Sequence, residues 1–152
     1  MANGATDLVG VHHIGITVRD ADRSAGFWCA LLDVEPIWRK RLTGRYLGGV
    51  TGYAKIELEA AFVGFPNGVV LEILEYQTDD KTPNPTATAN PGNVHICLEV
   101  VDADSMRDKA ISLGAKPVSM SVIEVTEGPN AGARACYLRD PDGITFEFFQ
   151  KP

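Results

Sequence analysis

A ten-residue segment occurs twice in this chain. "HIGITVRDAD" at 13–22 and "HICLEVVDAD" at 95–104 align at a constant offset of 82, so that His13 meets His95 and Asp20 meets Asp102. A second pair, "FPNGVVLEIL" at 65–74 and "DPDGITFEFF" at 140–149, aligns at an offset of 75 and matches Glu72 to Glu147. Two copies of one supersecondary unit, in the same internal order, predict two modules stacked on a shared core. The offset changes between the two motifs, where a loop can absorb the difference.

Each copy opens on an alternating strand whose aspartate, Asp20 or Asp102, stands where a helical pattern begins and can cap its free N–H groups. In the helices Phe27, Trp28 and Leu31, then Met106, Ala110 and Leu113, fall at helical spacing, and Gly114 marks a stop. Strand-like segments near 45–51 and 54–64, and near 118–125 and 133–139, precede the glutamate strands, so each copy reads βαβββ. The division is a tail at 1–9, a first module at 10–75, a linker at 76–93 rich in Pro, Thr and Asn, and a second module at 94–152. The fold class is α+β.

Alternation along a strand sorts its side chains by face. Ile14, Ile16 and Val18, like Ile96, Leu98 and Val100, belong against the helices. His13, Gly15 and Thr17, like His95, Cys97 and Glu99, then share the opposite faces, a polar set suited to a cavity wall. The repeat also separates His13 from its neighbour: His12 falls opposite Val94 and carries no assigned role. Glu72 in "VVLEIL" and Glu147 in "ITFEFF" are carboxylates inside apolar runs, costly to bury without a positive partner. Two imidazoles and two carboxylates, one of each per copy, form a mixed N and O ligand set for a divalent metal, with Zn, Ni, Co, Mn and Fe all acceptable. Cys97 has Gly15 as its counterpart and reads as a packed thiol.

Composition narrows the partners. A formal net charge of −6 disfavours nucleic acid and anionic membranes. The longest apolar stretches are too short to span a bilayer, and the start of the chain lacks a signal-peptide pattern. Cys29, Cys97 and Cys136 show no paired spacing, so a reducing, cytoplasmic location is expected. The one basic run, "WRKRLTGR" at 38–45, reads either as a solvated loop or helix end or as a holder of an acidic substrate.

The segments "HHIGITVRDADRSAGFW", "LLDVEP", "NGVVLEILEY", "HICLEVVDADSMRDKAISLGAKP" and "YLRDPDGITFEFFQ" resemble the vicinal oxygen chelate superfamily of glyoxalase I, methylmalonyl-CoA epimerase, extradiol dioxygenases and bleomycin-resistance proteins. That resemblance implies a curved mixed sheet around a metal-binding cup. It implies His13, Glu72, His95 and Glu147 as ligands of one divalent ion, and Glu147 or Glu72 as the base. It implies proton transfer next to a carbonyl through a metal-stabilised enolate, making the chain an isomerase, epimerase or lyase for a small molecule with vicinal oxygens. A homodimer is expected on the same ground, with each cup drawn from one chain or from two. Arg39, Arg41, Arg45 and Arg134 are substrate-binding candidates by charge. The alternatives are an Fe(II) ring-cleaving dioxygenase, disfavoured because a fourth ligand fills the position oxygen needs, and a sequestering protein, which would lack the ligands.

Overall fold

The computed structural model describes Asp7 and residues 9–152. Of the expected tail at 1–9, only Asp7 and Val9 therefore lie within the described residues. The first half runs β1 (His13–Thr17), α1 (Ala21–Leu32), β2 (Trp38–Leu42), α2 (Arg45–Thr51), β3 (Leu58–Gly64) and β4 (Val70–Tyr76). The second half runs β5 (Ile96–Glu99), α3 (Ala103–Ser112), β6 (Lys116–Pro117), β7 (Ile123–Glu124), β8 (Arg134–Arg139) and β9 (Thr145–Gln150). The class is α+β, with one mixed sheet per half: β1-β4-β3-β2, and β5-β9-β8-β6 with β7 also paired to β8. In each half the opening strand lies parallel to the closing glutamate strand.

The helices start where the aspartates place them. Asp20 accepts from the backbone N–H of Arg23, and Asp102 from those of Asp104 and Ser105. A second cap was not foreseen: Ala21 N–H donates to the carboxylate of Glu75, and Ala103 N–H to the side-chain oxygen of Gln150, both at 3.0 Å. Glu75 and Gln150 are equivalent at the offset of 75, so the last strand of each copy ties down the first turn of its helix.

Two expected strands are corrected. Residues 45–51 form α2 rather than a strand. Leu47 on this helix packs with Ile56 and Leu58 in a small cluster, and Gly52, at φ 80°, ends the helix by donating to the carbonyl of Gly48. Tertiary anchoring of Leu47 on Ile56 and Leu58 overrides the weak local preference that a strand-like segment carries. At 118–125 only Ile123–Glu124 is strand, while the basic run supplies β2, an edge strand.

The halves share one core. Trp28, fully buried on α1, meets Phe27 and Phe65 of its own half and Phe146 of the other, at ring-centroid distances of 5.5, 6.5 and 5.4 Å. Its indole N–H donates to Asp140 at 3.2 Å, across the seam. Asp140 in turn accepts from the backbone N–H groups of Asp142 and Ile144 at 2.9 Å, which shapes the turn "DPDG". Next to it Asp142, with a nearly buried side chain, accepts from Arg19 and Arg23 of the first half at 3.0 and 2.8 Å. Residues 77–95 hold no helix or strand, yet the stretch is pinned: Asn93 donates to the carbonyls of Pro85 and Ala87, and Arg139 to that of Thr86.

The two seam carboxylates respond oppositely to pH. Burial raises Asp140 above its ordinary value, whereas for Asp142 the hydrogen bonds from Arg19 and Arg23 outweigh burial and lower it. A lowered carboxylate contributes stability that is present above its unfolded pKa and lost as pH falls through its folded one. Asp142→Asn is therefore expected to destabilise the fold by about 1–3 kcal/mol at neutral pH. That deficit should shrink as pH falls below the ordinary carboxylate value of 3.8 and through the lowered value of Asp142, as read by urea denaturation at neutral and at acidic pH.

Candidate metal centre

Strand alternation distributes burial as the sequence suggested. Ile16 and Val18 are buried and Ile14 partly so, while His13, Gly15 and Thr17 are exposed on the other face. Register then brings ligand candidates together. Gly15 stands beside Glu72 across the β1–β4 pair, and Cys97 beside Glu147 across β5–β9. His13 precedes Gly15 by two residues and so shares its face, and its Nε2 lies 3.2 Å from the Glu72 carboxylate. His95 Nε2 lies 3.2 Å from the Glu147 carboxylate.

The separation itself tests a metal. Donors at about 2.0–2.2 Å from one ion, at right angles, stand about 3 Å from each other. Both pairs meet that spacing, with the histidine side chains 38% and 39% exposed and the glutamates 19% and 16%, so the two halves offer nearly the same accessible N and O donors. Residue type and spacing therefore fit a divalent ion. Among the described residues, however, no group of three or more His, Cys, Asp or Glu side chains is clustered to hold one. Within one chain the His13–Glu72 and His95–Glu147 pairs are therefore not gathered into one cluster among the described residues.

Other side chains adjust each pair. His12 Nδ1 and His13 Nδ1 lie 2.7 Å apart, one ring carrying the shared proton, which leaves His13 Nε2 directed at Glu72. Tyr137 packs against His95 with ring centroids 4.9 Å apart and the rings tilted by 42°, its hydroxyl 3.4 Å from Nε2. Across β8–β9 Tyr137 is opposite Glu147, as Phe62 across β3–β4 is opposite Glu72. One glutamate therefore has a phenol beside it and the other a bare ring. Cys97 is exposed as a residue rather than packed, but burial of its sulfur and the neighbouring Glu147 charge push the thiol up to about 11, so it stays protonated beside that carboxylate. Burial and the same charge raise the Tyr137 phenol.

Phe62 and Tyr137 are equivalent at the offset of 75, but that each stands opposite its glutamate follows only from the strand register, which the sequence does not give. Of the cationic candidates, Arg39 pairs with Asp22, Arg41 with Glu57 and Glu59, and Arg134 with Asp104. Arg45 opens α2.

The family model described as Glyoxalase/Bleomycin resistance protein/Dioxygenase superfamily matches residues 10–148. The chain belongs to that superfamily. Among curated relatives of this superfamily member, a 2-epi-5-epi-valiolone epimerase from Actinomyces sp. is 24% identical over 156 residues, covering 98% of this chain and 83% of the relative. A glyoxalase family protein from Bacillus cereus superimposes with a TM-score of 0.83 at 23% identity, covering 99% of both chains. A glyoxalase I mutant from Zea mays gives a TM-score of 0.66 at 17% identity, covering 93% of this chain and 45% of the maize chain. No helix among the described residues is long and apolar enough to cross a membrane.

If His13 is a ligand and His12 only orients it, their replacements separate. Elemental analysis of untagged protein should find His13→Ala stripped of its ion. His12→Ala should retain it, with affinity reduced about tenfold at most.

Proposed function

We propose that this chain is a divalent-metal-dependent enzyme of the glyoxalase and epimerase type, moving a proton on a carbon next to a carbonyl of a small molecule with vicinal oxygens. The observation that carries the reading is the duplicated His–Glu pair: His13 with Glu72 and His95 with Glu147, each at 3.2 Å, in equivalent register. The four residues would hold one divalent ion. When bound, such an ion supplies Lewis-acid polarisation of the substrate's oxygens.

The arrangement favours a homodimer in which His13 and Glu72 of one protomer face His95 and Glu147 of the partner subunit. Three observations support this. Among the described residues the pairs form no single cluster within one chain, β1 and β5 each pair on one side only, and Val11 and Val94 just before those strands are strongly exposed. An open strand edge presents unpaired N–H and C=O groups that another chain can cover. A twofold dimer would generate two such sites.

The protein's own groups then divide the work. The histidines hold the site in place. A glutamate accepts the proton from carbon and returns it, with Glu147 and Glu72 as candidates. Their surroundings differ, since Glu147 has the Cys97 thiol and the Tyr137 phenol beside it while Glu72 faces Phe62 and Gly15. The epimerase relative adds weight to proton transfer over oxygen chemistry, and the cytoplasm is the expected compartment.

Two measurements test this. Mixing His13→Ala with His95→Ala protein, each inactive alone, should restore about a quarter of the sites, because each mixed dimer holds one intact set of donors. No recovery would place the four ligands within one chain. In wild type, the ion should promote exchange of an α-hydrogen for deuterium in a carbonyl substrate. The base is whichever of Glu72→Gln and Glu147→Gln keeps the ion yet loses exchange by about a hundredfold or more. Oxygen uptake with Fe(II) and a catechol, in place of exchange, would overturn the proposal.

A further inference from the structure

The basic run forms β2, and alternation splits its cations between two faces. Arg39 stands opposite Ala61 on the side covered by α1, and it pairs with Asp22 of that helix. Arg41 shares the same side and pairs with Glu57 and Glu59. Lys40 lies between them and points the other way. Its face is fixed by register: Gly15, Glu72, Phe62 and Trp38 form one row across the four strands, and Lys40 follows Trp38 by two residues.

Geometry agrees. Trp38 and Phe62 pack with ring centroids 5.0 Å apart, and the Lys40 ammonium stands 6.0 Å from the Trp38 ring. Among the described residues Lys40 has no carboxylate within ion-pair distance, unlike both arginines beside it. An exposed ammonium held over an aromatic ring, with no acid nearby, leaves its donors for an incoming anion. Adjacent strands lie about 4.8 Å apart, so β2 is about 10 Å from β4 and Glu72. The equivalent row in the second half is built differently: Tyr137 lies opposite Glu147, and its backbone N–H donates to the Ser119 hydroxyl oxygen.

We propose that Lys40, framed by the Trp38 and Phe62 rings, is a subsite for an oxyanion on the substrate, a carboxylate or a phosphate ester placed about 10 Å from the atoms that face His13 and Glu72. The inference deepens the proposed function and rests on that reading for its active face. It would make the substrate an acid whose charged end binds the first half of the chain while its vicinal oxygens meet the ligand pairs.

The test uses full-length protein freed of metal, so its result does not depend on whether an ion binds. Phenyl phosphate, phenylacetate and neutral benzyl alcohol are titrated by calorimetry and by the fluorescence of half-buried Trp38. At least one anion should bind saturably and quench, with benzyl alcohol at least tenfold weaker. The tighter anion names the group. Lys40→Met should weaken that anion at least tenfold, and Lys40→Arg should keep affinity within about threefold, with both variants matching wild type in thermal unfolding because the side chain is exposed. Equal binding of the anion to wild type and Lys40→Met, equal binding of benzyl alcohol, or no binding of either anion at millimolar concentration would overturn the proposal. Loss of metal binding with this subsite intact would instead count against the proposed function alone.

Discussion

The structure depends on the contact that Trp28 makes across the seam between the halves. Its ring fills the space between the first helix and Phe146, and its one polar atom is satisfied by Asp140, itself buried at 1% exposure. A buried carboxylate without donors would be strongly destabilising, but three N–H groups reach it. The same turn presents Asp142 to Arg19 and Arg23, so one short segment of the second half both plugs and clamps the first. Each half alone would leave an apolar helix and sheet face in water, and the seam is where those faces meet.

That seam also governs the site indirectly. It anchors "DPDG" immediately before β9, and β9 carries Glu147 in register with Cys97 and Tyr137. On the other side α1 lies over β3 and β4, so the outward row of β4, with Glu72, is turned away from the core. Packing on one face of each sheet thereby presents the His–Glu pair on the other. The duplication makes this happen twice, and divergence then specialises the copies: an aromatic wall with a free ammonium in the first, a phenol and a thiol in the second.

The parts of the site legible in the sequence are those that short-range periodicity controls. His13 rather than His12 faces Glu72 because side chains alternate along a strand, and the repeat identified which histidine to count. The helix caps were legible for the same reason, since Asp20 and Asp102 act within three residues. Reading failed where the deciding contact was distant. Segment 45–51 became a helix through Leu47 packing on Ile56 and Leu58, and Arg39 and Arg41 of the basic run pair with Asp22, Glu57 and Glu59 while Lys40 has no carboxylate partner among the described residues.

By itself, then, the amino-acid order determined that the chain is a duplicated βαβββ unit carrying one imidazole and one carboxylate per copy, because repeats and strand alternation are local properties of a chain. Only the tertiary structure decided the rest. It divided the strands into two sheets, kept the two His–Glu pairs apart within one chain, put Tyr137 opposite Glu147 and Phe62 opposite Glu72, and turned Lys40 to the same face as Glu72. Those outcomes hinge on which strand lies beside which and in what register, and that is settled by packing between residues far apart in the chain.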